Sequence, residues 1–157
     1  MKKIIRHLLL LLTMPFLFCG CDQEDNVFEI FDSGVWSFVN YFTNVDWDSN
    51  NDRLARPKYT SLDDMNTICK FTITFDSDGT FSGELTNGVT YSGKWEANPD
   101  DRTFSVIGDI RSNAKLTGKN AEFVNTLKEA RFYRGDSRMM LRLAPENKTN
   151  CMQFTHR

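Results

Sequence analysis

The stretch CKFTITFDSDGTFSGEL, residues 69–85, decides the fold class of this chain. From Cys69 to Phe75, apolar residues alternate with polar ones, which is the period of a half-buried β-strand. The sequence Asp-Ser-Asp-Gly at residues 76–79 is typical of a hairpin turn, and the alternation resumes after it at Phe81. The stretch therefore predicts a β-hairpin with one apolar and one polar face.

Similar patterns on both sides extend this hairpin into a meander. Residues 36–42 alternate as a first strand, and an Asn-Gly turn leads into a strand at residues 89–95. Further strands are predicted at 103–107, 114–116, 130–133, 139–143 and 151–155. One helical pattern interrupts them at residues 119–129, where Phe123 and Leu127 lie four positions apart. The prediction is a mainly β domain of the α+β class. It is an antiparallel meander, forming a strongly curved sheet or small barrel, with one amphipathic helix packed on it before the last strands.

The N-terminus has the pattern of a targeting segment. Lys2, Lys3 and Arg6 precede an apolar run at residues 8–18 that is shorter than the ~20 residues needed to cross a bilayer. The sequence Phe-Cys-Gly-Cys at residues 18–21 resembles the lipobox of bacterial lipoproteins, with small Gly20 before Cys21. We expect residues 1–20 to be removed and acyl chains on Cys21 to anchor the protein to a membrane.

The residues that follow indicate where the anchored protein is found. The acidic run at residues 22–25 resembles the export signal of surface lipoproteins of Bacteroidota, so we expect an outer-membrane anchor, facing either the periplasm or the cell surface. Residues 21–34 are predicted to be an acidic tether, and residues 35–157 one β domain. The leader holds three of the 19 Lys and Arg and none of the 21 Asp and Glu, so the mature net charge is −5. This disfavours nucleic acid as a partner.

Three segments carry a family resemblance. The runs FTITFDSDGTFSGELTNGVTYSGKW, EFVNTLKEA and RFYRGDSRMMLRLAPENKTNCMQF resemble, in order and spacing, the META domain of HslJ-like envelope lipoproteins, over residues 36–154. The resemblance implies a structural or stress-protective envelope protein and supplies no catalytic residue. Lipocalin-like lipoproteins are a neighbouring possibility, because a meander with one covering helix can close around a ligand.

An insertion at residues 43–66 holds the candidate binding residues. Trp47 lies in a polar stretch, and Arg53, Arg56 and Tyr59 follow it. These side chains could stack on a sugar or on a partner's side chain. We favour the alternative in which Trp47 covers the open end of the sheet, because large apolar groups are seldom left exposed.

Few residues suggest catalysis or metal binding. Oxygen-bearing side chains at positions 46, 48, 50 and 52 are spaced as in a calcium loop, but Asn51 and Pro57 replace its Gly and its bidentate acid. Of the two histidines, His7 leaves with the leader and His156 is the penultimate residue. We therefore expect no catalytic residue, no metal and no cofactor. A hydrolase with paired carboxylates ranks third among the hypotheses.

Cys69 and Cys151 could form a disulfide in an envelope compartment. Strand parity places Cys69 on the face of Phe71, whereas Cys151 alternates against Met152. The two thiols should therefore point to opposite faces, which favours a buried free Cys69 over the bond.

Two functional hypotheses follow. The first is a non-catalytic envelope lipoprotein that binds a small molecule or a protein partner, at the mouth of the sheet or at the insertion. The second is a structural or stress-protective envelope protein with no ligand of its own. A cavity lined by apolar side chains would favour the first, and a filled interior the second.

Overall fold

The structure is a computed structural model that describes residues 27–49, 52–135 and 139–157. Within these residues the elements run in the order α1 (Val27–Phe31), β1 (Val35–Thr43), β2 (Arg56–Pro57), α2 (Leu62–Ile68), β3 (Thr72–Phe75), β4 (Thr80–Glu84), β5 (Thr90–Asn98), β6 (Thr103–Ser112), α3 (Gly118–Glu129), β7 (Phe132–Gly135), β8 (Met140–Ala144) and β9 (Asn150–His156). Short 3-10 turns lie at Asp52–Leu54 and Thr86–Gly88.

The nine strands form one antiparallel sheet that is ring-like. Its order is β2-β1-β3-β4-β5-β6-β7-β8-β9, and β1 also pairs with β9, so the sheet returns to its first long strand. Helix α3 packs on the sheet through Phe123, Val124 and Leu127, which are buried. The predicted mainly β class, with a curved antiparallel meander and one covering helix, is confirmed.

A β-bulge in β1 changes which side chains face the interior. The pairing with β9 shifts register after Phe38, so that Val39 is an extra residue in the ladder. Trp36 and Phe38 point inward before the bulge, whereas after it Tyr41 points inward and Phe42 outward. One strand therefore supplies both the core and a small apolar cluster outside the ring.

Aromatic rings fill the interior in two layers, each completed by a helix. Phe31 of α1 lies 4.9 Å from the ring of Phe75, and Phe123 of α3 lies 5.2 Å from the ring of Phe71. Phe71 and Phe75 are four residues apart along an extended segment, which corresponds to about 13 Å. The two helical phenylalanines thus pack in different halves of the ring.

Two glycines allow β4 and β5 to curl tightly. Gly83 lies opposite Tyr91 and Gly93 opposite Phe81 in the ladder. A Cβ on either glycine would stand 2.6 Å from the facing aromatic ring, so each ring occupies the space that a side chain would need. The Tyr91 hydroxyl also donates a hydrogen bond to the Thr72 carbonyl at 2.7 Å, which fixes the ring against β3.

The N-terminal helix lies in a segment where the sequence predicted a tether at residues 21–34. Val27, Ile30 and Phe31 of α1 are buried, at the i, i+3, i+4 spacing of a helix that packs with one side. The Ser33 carbonyl, just after α1, lies 2.6 Å from Nε2 of His156 at the end of β9. The later part of the predicted tether therefore belongs to the core, and residues 21–26 lie outside the described residues.

The insertion predicted at residues 43–66 has more regular structure than expected. Strand β2 pairs with the end of β1, and helix α2 begins within the insertion at Leu62. The Ser61 hydroxyl accepts a hydrogen bond from the Asp64 amide and caps α2, which continues to Ile68. The strand predicted from Cys69 consequently begins at Thr72. The strand predicted at residues 114–116 is bend and coil, because β6 takes the pairing with β5 up to residue 112.

The ring has two ends, which we name by the elements found there. At the α1 end, β1 begins beside α1 and β9 ends. At the β2 end, β1 leads into residues 44–54, and the Val45 amide donates to the Thr149 carbonyl in the turn before β9. The eight residue steps of β1 separate the two ends by about 26 Å.

Candidate functional site

An open groove of about 810 Å³ lies at the β2 end of the ring. The insertion lines one side of it and the turn before β9 lines the other, through residues 44–48, Arg53, Leu54 and 147–149. We call it the Trp47 groove, because Trp47 is the one aromatic side chain among the described residues that line it. The groove lies outside the ring and is separate from the aromatic interior.

Trp47 is half-buried, and buried side chains and Arg134 contact it. It packs against an outer cluster of buried side chains, namely Val45, Ala144 and Cys151, which Phe42 and Ala55 also contact. The Arg134 guanidinium lies 6.0 Å from the centre of the indole ring and donates a hydrogen bond to the Trp47 carbonyl. The indole is therefore fixed in place while part of it lines the groove.

An ion pair fixes the loop that carries the groove. Arg142 of β8 pairs with Asp52, and its Nε donates to the Gln153 side-chain oxygen at 3.0 Å. Only 12% of the Arg142 side chain and 29% of the Asp52 side chain are exposed, so solvent screens this pair less than a surface pair. The Asp52 end of the loop is thus tied to the sheet.

The charged groups along the groove balance one another. The lining includes two carboxylates, of Asp46 and Asp48, and two cationic side chains, Arg53 and Lys148. Hydrogen bonds from the Ser49 hydroxyl and amide hold the pKa of Asp46 below its usual value. The charges of these four lining side chains therefore sum to zero at neutral pH.

The calcium-like spacing places the carboxylates of Asp46 and Asp52 against different partners. Asp46 accepts hydrogen bonds from Ser49, and Asp52 is turned toward Arg142 on the sheet. Asn50 and Asn51 lie outside the described residues. Among residues 27–49, 52–135 and 139–157, no group of three or more His, Cys, Asp and Glu could hold a metal ion.

Tyr59 lies in a different place from Trp47 and has a different set of contacts. Its hydroxyl donates to Glu122 of α3 at 2.8 Å, and Lys58 forms an ion pair of 2.9 Å with the same carboxylate. Its carbonyl accepts from buried Asn40 at 2.7 Å. Burial, followed by the hydrogen bond to Glu122, raises the pKa of the Tyr59 phenol. This set, the Tyr59 clasp, ties the insertion to the covering helix.

The four predicted binding residues therefore separate. Trp47 and Arg53 line the groove, Tyr59 belongs to the clasp, and Arg56 lies exposed in β2 with its guanidinium on the Ala55 carbonyl. Sequence reasoning missed residues 147–149, which complete the groove from about 100 positions away. The pairing of β1 with β9 brings them there, and short-range patterns give no sign of it.

The two cysteines among the described residues, Cys69 and Cys151, occupy contrasting environments and are both free thiols. Cys151 is buried in the outer cluster, where burial raises its pKa to about 11. Cys69 is exposed, and its thiol donates to the Asn66 carbonyl. The buried Cys69 that we expected is wrong, because α2 extends to Ile68 and Cys69 caps that helix instead of opening a strand.

Two further depressions lie on the outer face of the sheet between β3 and β6. They measure about 670 and 430 Å³, and Ser82, Ser92 and Arg111 line both. Their aromatic lining residues, Tyr91 and Phe81, are at most 2% exposed. The Trp47 groove therefore differs from both, because its aromatic lining residue is only partly buried.

Comparisons with known proteins indicate a family. A family model described as a domain of unknown function, DUF4847, matches residues 22–156. The crystal structure of a DUF4847 family protein from Bacteroides vulgatus ATCC 8482 has a TM-score of 0.72 and 36% sequence identity, and the match covers 83% of this chain and 97% of that chain. No curated protein matches the chain. Among the described residues, none of the helices has the length and apolar character needed to cross a membrane.

The expected resemblance to the META domain is wrong. The family model and the solved structure both indicate a different family. The segments that suggested META consist of a hairpin turn, a helix with Phe and Leu on one side, and a closing strand pair. Any antiparallel meander with a covering helix needs these features, so they identify the architecture and not the family.

Proposed function

The chain belongs to the DUF4847 family of domains of unknown function, and from there we propose that it is a non-catalytic binding module, lipid-anchored in the cell envelope. The observation that carries this proposal is the Trp47 groove. It combines a fixed aromatic side chain with polar groups at an open concave site, as small-molecule sites commonly do. The ligand is a small molecule or a segment of a protein partner.

The packing of the interior directs the proposal to the outer surface. Aromatic rings contact one another across the ring, with centroids such as those of Phe31 and Trp95 only 4.7 Å apart. Phe38, Phe71 and Phe154 surround Phe123 in the same way. A ligand inside would have to displace these side chains, whereas the groove is open to solvent.

The lipid anchor at Cys21 would set the orientation of the groove relative to the membrane. Only five residues separate Cys21 from Val27, the first residue of α1. Six residue steps span at most about 20 Å, so the anchor keeps the α1 end close to the membrane. The Trp47 groove lies at the other end of β1 and would face away from the lipid surface, on whichever side of the outer membrane the protein stands.

The filled interior also favours a second candidate, a structural envelope protein with no ligand of its own. The two candidates predict different consequences for Trp47. In the structural case, replacing Trp47 would affect stability alone. In the binding case, it would abolish an interaction while the fold persists.

The test uses the full chain, purified from its host membranes in mild detergent and immobilised through its C-terminus. Envelope extract, separated into polysaccharide, protein and small-molecule fractions, is passed over it in biolayer interferometry. We expect at least one fraction to bind the wild-type chain and to lose binding with Trp47→Ala. Leu62→Ala is the matched control, because Leu62 is 74% exposed on α2 outside the groove.

Two measurements decide between the candidates. The structural candidate replaces the binding module if no fraction binds either chain, or if every fraction that binds does so equally with wild type and with Trp47→Ala. Mass spectrometry of the N-terminal peptide after protease treatment of intact cells tests the anchor. An acylated Cys21 is expected, and an intact leader would contradict the anchor.

A further inference from the structure

We propose that the Trp47 groove binds a neutral oligosaccharide, with one sugar ring stacked on the Trp47 indole. This inference rests on the proposed function and adds the chemical class of the ligand. It draws on three properties of the groove: its aromatic surface, its charge balance and its openness.

The aromatic surface is of the kind that sugars recognise. A pyranose ring presents a face of C–H groups, which packs on the electron-rich face of an indole as other partly positive groups do. The outer cluster and Arg134 hold Trp47 from behind, and Arg134 is not among the residues that line the groove. Leu54, 71% exposed beside Trp47 in the groove, adds a second apolar contact.

The charge balance selects against ionised ligands. A phosphate or carboxylate placed against Trp47 would approach the carboxylates of Asp46 and Asp48. A cationic peptide would approach Arg53 and Lys148. A ligand without charge meets neither repulsion, and carboxylate, amide and ammonium groups can each accept from or donate to its hydroxyl groups.

The openness of the groove suits a chain longer than one sugar. The groove is a depression along the surface between the insertion and the turn at residues 147–149, so the two ends of a bound chain can extend into solvent. The Arg142–Asp52 pair ties the loop that carries the groove to the sheet, and the amide of Val45 ties it to the turn before β9. A preformed site of this kind orders few side chains on binding, which favours a weakly interacting polar ligand.

In the test, the polysaccharide fraction of the envelope extract is treated in one of two ways and is then passed over the immobilised full chain. Periodate cleaves the vicinal diols of sugars, and a broad protease removes proteins. We expect periodate to abolish binding and the protease to leave it unchanged. A panel of purified neutral hexasaccharides and of oligogalacturonates is then titrated, and binding to at least one neutral member is expected, with none to the acidic members.

Three variants connect the binding to the groove. Trp47→Ala should weaken it about tenfold or more, as for an aromatic residue at the centre of an interface. Trp47→Phe should weaken it less because it keeps an aromatic face, and Leu62→Ala should leave it unchanged. Circular dichroism and thermal unfolding of each variant show whether the fold is intact.

The outcomes separate the ligand class from the proposed function. Binding that survives periodate, disappears with protease and still depends on Trp47 would overturn the oligosaccharide and keep the binding module. Preference for the acidic oligosaccharides would overturn the neutral class. Oligosaccharide binding that is equal in wild type and Trp47→Ala would overturn the groove as the site.

Discussion

Gly83 and Gly93 show at the scale of single residues how this sheet can curve. Each lies opposite an aromatic residue whose ring covers it from inside the ring of strands. The two positions differ in what surrounds them. A Cβ at Gly83 would stand 2.1 Å from the backbone oxygen of Thr72, whereas the nearest atom to a Cβ at Gly93 belongs to the Phe81 side chain. A side chain can move more easily than a strand.

Gly83→Ala should therefore destabilise the protein more than Gly93→Ala. We expect a loss of roughly 3 kcal/mol for Gly83→Ala and about 1 kcal/mol for Gly93→Ala, within the range of overpacked cores. Urea unfolding followed by fluorescence gives the free energies. Ser82→Ala is the control, because Ser82 is next to Gly83 on β4 and is exposed on the outer face. The argument would be contradicted if Gly83→Ala lowered the free energy of unfolding no more than Ser82→Ala does.

Helix α1 shows at the scale of elements how five residues can complete a core. Phe31 contacts rings from four different strands, namely those of Phe75, Trp95, Phe104 and Tyr133. The indole nitrogen of Trp36 donates a hydrogen bond to the Phe31 carbonyl. The helix is too short to be stable alone. Its stability comes from the aromatic layer that it completes.

Phe31→Ala should accordingly lower the free energy of unfolding by a large amount, although Phe31 lies close to the N-terminal segment. The side chain is fully buried, and its removal leaves a cavity worth about 3 to 5 kcal/mol. Asp32→Ala, exposed at the next position, should change stability by less than about 0.5 kcal/mol. Chemical denaturation of both variants checks this, and equal stabilities would mean that α1 does not belong to the core.

The elements that the sequence predicted are those with local periodicity. The β3–β4 hairpin, β5 and α3 repeat their apolar residues at the expected spacing, and the structure has all of them. Helix α1 was missed because its apolar residues follow an acidic run that suggested a tether. The bulge at Val39 was missed because a change of face inside one strand depends on its pairing with β9.

The candidate site was predictable to the same extent. Trp47 stood out because a large aromatic residue in a polar insertion needs an explanation. The separation of Trp47 from Tyr59 was not predictable, because Tyr59 bonds to Glu122, which is 63 positions away. Contacts of that range depend on the closed sheet and leave no pattern in either segment.

The charge distribution acts on the stability of the whole molecule. Hydrogen bonds or lysine partners lower the pKa of five aspartates, namely Asp46, Asp64, Asp78, Asp101 and Asp109. For Asp78 and Asp101 the largest cause is a hydroxyl two residues later, from Thr80 and Thr103. Such carboxylates stabilise the folded state only while they are ionised.

We expect the free energy of unfolding to fall as the pH falls below about 4, near the unfolded pKa of aspartate. The folded pKa values are depressed, so their contribution is complete above that value and is lost as the pH passes down through the folded pKa. Urea unfolding at a series of pH values measures the slope.

The Asp78→Asn, Asp101→Asn double variant should reduce this slope, because an amide oxygen can accept the same hydrogen bonds without titrating. In high salt the difference in this slope between wild type and variant should remain, because salt does not screen hydrogen bonds from neutral donors as it screens lysine charges. A slope that the double variant leaves unchanged would show that other groups govern acid unfolding.

The closure of the sheet by its first and last long strands has a consequence for biosynthesis. Trp36 pairs with His156, 120 positions later, and the amide of the final residue, Arg157, donates to the Val35 carbonyl. A chain synthesised N-terminus first exposes β1 without its β9 partner until the residues of β9 have emerged. Because such distant pairing forms slowly, we expect β1 to remain an unpaired edge, open to association with other chains, during that interval.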